Sequence, residues 1–168
     1  MKLQEIFELI EKDPACEVEY RTTPLNQQEL NIPSDLDEVR NRYRTVSLFT
    51  DQPYGIVLLP THELVTTNSL LYPENDVIWE ELAGDLSEHW YVVASSEQLS
   101  QFISIDLSPE RLGLCYDSYI DTHATPGDSM IIARNFTELL ERLYNSKGQY
   151  WYWLESNLSY GDAYDDIQ

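Results

Sequence analysis

Residues 127–148 read GDSMIIARNFTELLERLYNSKG. They spell a turn, a short strand and a capped helix, and that order decides the fold class. Gly127-Asp128 is a turn. Met130 to Ala133 is an apolar run too short for a helix. Asn135 can accept the free backbone donors of the next element, and Glu138, three residues on, completes a capping box. Phe136, Leu139, Leu140, Leu143 and Tyr144 then recur at helical spacing, and Gly148 stops the helix.

Upstream, the same reading gives more strands. Val46–Phe49 is a short apolar run, and Tyr54–Leu59 is a strand closed by Pro60. His89–Ala94 (HWYVVA), Phe102–Leu107 and Leu112–Tyr116 follow. The links between them are shorter than the roughly dozen residues that a parallel crossover needs. An antiparallel meander of about four to six strands, with helices at the N- and C-terminal ends, is expected; the class is α+β.

The N-terminal helix is carried by Leu3, Ile6, Phe7 and Ile10 and stopped by Asp13-Pro14. Residues 17–31 read as an edge strand from Val18 and Tyr20 or as a loop. Ser34 is the expected cap of a second helix that turns Leu36 and Val39 inward. Thr61 is the expected cap of a short helix through His62, Glu63, Leu64 and Val65. Residues 117–126 read as a solvated polar link. Residues 1–154 are expected to form one domain, with an aromatic extension from about 149, and residues 155–168 a flexible acidic tail.

The charge balance narrows the partners. Of 168 residues, 30 are acidic and 10 basic, a formal charge of -20. Such a chain has few cations for phosphate, so direct nucleic-acid binding is disfavoured, as is an anionic membrane. A basic protein partner fits the field; solubility alone would also account for it. No run approaches the roughly 18 apolar residues of a membrane span. Residues 2–15 lack the apolar core of a secretory leader. A cytoplasmic chain is expected, with Cys16 and Cys115 reduced.

Catalytic signals are weak. No two of the three histidines, His62, His89 and His123, are close in sequence. His123 near Asp117 and Asp121 allows a metal but does not select one. Cys115 with His123 makes a dyad on paper, yet Cys115 sits in apolar LGLCY, where an inert thiol is the default. No Gly-rich phosphate loop or nucleophile elbow is present. A non-enzymatic chain without metal or cofactor is expected.

Three of the ten cations, Arg40, Arg42 and Arg44, stand within five residues. Internal ion pairing is the preferred reading, and an anion site the other. Two acidic rims are candidate partner contacts: Asp117, Asp121 and Asp128, and Glu80, Glu81 and Asp85. In Tyr150-Trp151-Tyr152-Trp153, strand alternation would bury one pair and expose the other. Trp151 and Trp153 are the candidate aromatic anchors; a wholly buried cluster and a homodimer contact are the other readings.

The order of motifs resembles the SUKH superfamily. Ile32-Pro33-Ser34-Asp35-Leu36 looks like its Pro-started helix. Tyr54–Pro60 with His62-Glu63-Leu64 looks like its strand and following short helix. Trp90–Ala94, Phe102–Leu107 and Gly113–Asp117 look like its central meander. Ile131-Ile132-Ala133, Asn135-Phe136 and Leu139-Leu140 look like its closing strand and helix. The resemblance covers about residues 1–147. Asp51-Gln52-Pro53 stands where members often have Asn-Gly, and the aromatic extension lies outside the pattern. The resemblance implies binding rather than catalysis. Bacterial members are largely immunity proteins that block a toxin, often a nuclease; the fungal branch implies a regulatory or scaffolding module.

Overall fold

The structure, a computed structural model, describes residues 1–58, 63–155 and 158–165. The expected helix start at Thr61 and His62 lies outside them. Among the described residues the fold is α+β, with one seven-stranded antiparallel sheet whose strand order follows the chain. The strands are β1 (Cys16–Tyr20), β2 (Tyr43–Leu48), β3 (Ile56–Leu58), β4 (Trp90–Ser96), β5 (Gln101–Asp106), β6 (Cys115–Asp117) and β7 (Ile131–Ala133). The count exceeds the four to six expected, because the open segment at Val18 and Tyr20 pairs with β2 as an edge strand.

Helices α1 (Leu3–Lys12), α2 (Ser34–Arg42) and α5 (Phe136–Ser146) pack over one face, each contacting the sheet and α5 contacting both others. The main core lies beneath them. Ile6, Ile10, Leu36, Leu139 and Leu140 meet Val46, Leu58, Ile103 and Cys115, all buried. Their helical spacing on the helices and their alternation on the strands produce this match, and their removal from water supplies the main stabilising term.

Short helices α3 (Thr67–Leu71) and α4 (Ile78–Leu82) come between β3 and β4. The short helix expected over 61–65 stands later. Glu63 and Leu64 are non-helical, and Thr66 caps α3 by accepting from Ser69 N. The strand expected over Leu112–Tyr116 is only Cys115–Asp117. Gly113 adopts φ +94° and its amide bonds back to Asp106 O at 2.8 Å, so residues before Cys115 form a turn.

The α5 cap is mostly as expected. Asn135 Oδ1 accepts from Glu138 N at 2.8 Å. Glu138, however, reaches past the cap to Arg134 N, at 2.7 Å. Ser34 lies inside the first turn of α2 and makes no cap bond; Pro33 holds that position. The neighbouring Asp35 instead accepts from Thr137 N and Oγ1, both at 2.9 Å, and so caps α5 from the adjacent helix α2. Asp35→Ala should cost about 1 kcal/mol, as other N-cap removals do, read as a lower urea midpoint at unchanged m. An unchanged midpoint would remove the tertiary cap from the account.

The arginine cluster divides. Arg42 pairs with Glu11 at 3.5 Å and Arg44 with Glu19 at 3.1 Å, as the ion-pairing reading expects. Arg40 does not follow it: this residue is buried and donates to Gln28 Oε1 at 3.3 Å.

The expected tail from 155 includes a docked segment. Ile131 N donates to Gly161 O, Tyr160 N to Ile131 O and Ala163 N to Ser129 O. Ala163 is fully buried, and Arg111 donates to its carbonyl. These bonds cover the outer edge of β7, which would otherwise present unpaired backbone groups. Residues 166–168, including Asp166, lie outside the described residues.

Candidate functional site

The turns after β2, β4 and β6 and the segment after α5 meet at one end of the sheet. There they enclose a groove of about 350 Å³. Tyr54 enters before β3, Leu99 and Gln101 at the turn into β5, and Asp117 and Tyr119 at the end of β6. Trp151, Trp153 and Leu154 close it from the C-terminal side.

The aromatic segment does not alternate as a strand. Tyr152–Leu154 is a single 3-10 turn, so Trp151, Tyr152 and Trp153 are all buried while Tyr150 and Leu154 point outward. Trp151 and Trp153 stack at 5.0 Å and 13°, and Tyr54 meets Trp151 edge-on at 5.0 Å. Tyr152 donates to Ile132 O at 2.6 Å and so anchors the turn to β7. Gly148 makes the approach possible. Its φ is +69°, and a Cβ there would stand 2.7 Å from Phe49 Cβ.

Asp117 forms the polar floor. It is 9% exposed, so this member of the first acidic rim is not a solvated rim group. Its Oδ1 accepts from Gln101 Nε2 at 2.6 Å and Tyr119 N at 3.1 Å; Oδ2 accepts from Trp153 Nε1 at 3.1 Å. Burial pushes its carboxyl pKa upward, and these three bonds oppose the shift. The charge of Asp128 adds a smaller contribution to the rise. Asp121 and Asp128 are exposed.

The structure thus brings three sequence candidates, Asp117, Trp151 and Trp153, to one groove. The second rim is separate. Glu80 and Glu81 are exposed on α4, whereas Asp85 is half-buried and accepts from Tyr164 OH at 2.8 Å and Ser87 N at 2.9 Å. Sequence reasoning missed Tyr54, Leu99, Gln101, Tyr119, Thr122 and Leu154. Only Leu154 left a signal, as an apolar residue just past the aromatic cluster.

The segment expected to be a solvated link is folded over the other face of the sheet. His123 is buried against Trp90, and its Nε2 meets Asn68 Oδ1 at 2.7 Å. Because an amide oxygen only accepts, Nε2 carries the proton. Burial lowers the His123 pKa to about 4, against a smaller opposing effect of Asp85. Cys115 lies in the main core and His123 does not, so the paper dyad is not assembled. Burial also raises the pKa of both free thiols, Cys16 to about 11, which keeps them unreactive. Among the described residues no cluster of His, Cys, Asp and Glu fits a metal, and no helix is long and apolar enough to cross a membrane.

A seven-stranded antiparallel sheet with helices from both ends of the chain over it defines a SUKH-like fold. The chain is 34% identical over 146 residues to the immunity protein YokJ of Bacillus subtilis (strain 168), covering 86% of this chain and 84% of that one. It belongs to this immunity-protein family. No family model and no solved structure matches the chain.

Proposed function

We propose that this chain is the antidote of a toxin–immunity pair and neutralises its toxin by binding it. The observation that carries this reading is the kinship with an immunity protein over most of both chains. The charge of -20 favours a basic toxin face, and a nuclease presents such a face to its polyanionic substrate. The antidote then acts in the cytoplasm by covering the face that would meet nucleic acid. Exposed carboxylates speed the encounter, and the groove slows release.

Co-expression tests the reading. Where a toxin-like gene stands beside this one, cells making its product should survive only when this chain is also made, and the purified chain should suppress that product's nuclease activity. Survival without the chain would overturn the immunity reading. Neutralisation of a toxin without nuclease activity would overturn only the nuclease assignment. Failure to neutralise, with a host protein bound instead, would favour a scaffolding module.

The two acidic patches have separable roles. Asp121 and Asp128, both exposed, steer the toxin; exposed Glu80 and Glu81, with half-buried Asp85, are the second patch. Replacing Asp121 and Asp128 by Lys should slow association about tenfold at low salt and flatten its salt dependence, with little change in release. Stopped-flow mixing with the toxin reads both. An unchanged association rate would take these two residues out of the encounter face.

A further inference from the structure

We propose that the groove over Asp117 receives one arginine side chain of the partner protein, seated against the rings of Tyr54 and Trp151. The inference rests on the protein-binding reading above and names the chemistry of the contact.

Asp117 is nine-tenths buried, and all three of its hydrogen bonds come from neutral groups. Among the described residues no cation pairs with it, although six ion pairs form elsewhere. A buried carboxylate without a cation is costly unless something else compensates it. Oδ1 already accepts two bonds, whereas Oδ2 accepts only the indole N–H of Trp153. One acceptor position on Oδ2 is therefore left for a donor arriving through the groove.

The walls select the kind of cation. A guanidinium is flat, weakly hydrated and able to stack on aromatic rings while it donates in its own plane. The groove supplies the Tyr54 ring, the rim of the Trp151 indole and the apolar side chain of Leu99 for the aliphatic stem; Trp153 is 1% exposed and acts only through its bond to Asp117. A lysine ammonium is more strongly hydrated and loses more on entering such a site. Thr122 and Tyr119 also line the groove, and their hydroxyl oxygens are acceptors for the remaining guanidinium donors. Asp121 and Asp128 favour a cation over an anion on approach, as does the net charge of the chain. Leu154, 65% exposed on the groove wall, is the kind of apolar residue that shields such a contact from water.

Titration of the full chain with a capped Gly-Arg-Gly peptide tests the site, read on the indole N–H resonance of Trp153. Capped Gly-Lys-Gly and Gly-citrulline-Gly peptides are the controls. The arginine peptide should shift that resonance saturably, bind about tenfold tighter than the lysine peptide and lose all effect as citrulline. Leu154→Lys places a competing charge on an exposed position without disturbing the core, and should weaken binding about tenfold. Asp117→Asn should do the same, provided its spectrum shows the native fold. A shift that never saturates, equal binding of all three peptides, or no effect of Leu154→Lys would overturn the assignment. So would a concentration-dependent dimer that protects Trp153 without peptide, because a second copy would then be the occupant. Toxin neutralisation by a chain that ignores the arginine peptide would sink the groove and leave the immunity reading standing. Peptide binding without neutralisation would do the reverse.

Discussion

Trp153→Ala should remove about 3–5 kcal/mol of stability, a large part of the roughly 5–15 kcal/mol that holds a domain together. Trp153 is 1% exposed and is among the largest fully buried side chains. It stacks on Trp151, meets Tyr152 edge-on at 5.2 Å and donates to Asp117. Truncation opens a cavity and leaves Asp117 with two donors where it had three. Trp153→Phe separates the two effects. It keeps most of the packing and loses only the donor, so about 1–2 kcal/mol is expected. Urea unfolding followed by circular dichroism gives both numbers. A loss below about 1 kcal/mol for the alanine variant would mean that the aromatic segment is not part of the cooperative core.

The second large effect is acid sensitivity centred on His123. In the unfolded chain this imidazole takes a proton near its ordinary value of 6.5, and in the folded chain only near 4. The unfolded state therefore binds more protons between these values, so stability falls as the pH drops from 6.5 toward 4. The two values differ by enough to cost about 3 kcal/mol once the pH is below both. Above pH 6.5 the neutral ring contributes in full. His123→Gln cannot titrate and can still donate to Asn68. Its stability should fall less steeply than that of the parent over this window, while carboxylate titration continues in both. Parallel stability curves for the two proteins between pH 7 and pH 4 would rule out His123 as the origin.

The elements that the sequence announces are those whose signal is local. Phe136, Leu139, Leu140 and Leu143 state the last helix by their spacing, and all four are buried. The antiparallel meander follows from link lengths, and the sheet does run in chain order. Where the expectation erred, the deciding contact is distant in the chain. Ser34 is a good capping residue, yet the side chain there that caps a helix is Asp35, which caps α5 at Thr137, 102 residues away. Residues 117–126 are polar enough for a surface link, yet His123 finds Asn68 55 residues away. The Thr67–Ser104 and Ser104–Ser118 hydroxyl pairs, both at 2.6 Å, belong to the same buried polar layer. Polar residues can line an interior when each meets a partner, and composition cannot reveal the partner.

Charge and periodicity are sums and spacings along the chain, so the sequence alone determined the acidic field, the α+β class and the order of the elements. The groove is a matter of the tertiary structure. Trp153 and Asp117 are 36 residues apart, and Asp117 and Gln101 are 16. Their convergence depends on β5 starting beside the place where β6 ends and on a 3-10 turn that points both indoles inward where an alternating strand would have divided its side chains between two faces. Nothing local encodes that turn, because its direction is chosen by the space left at the end of the sheet, which exists only once the sheet and α5 have packed.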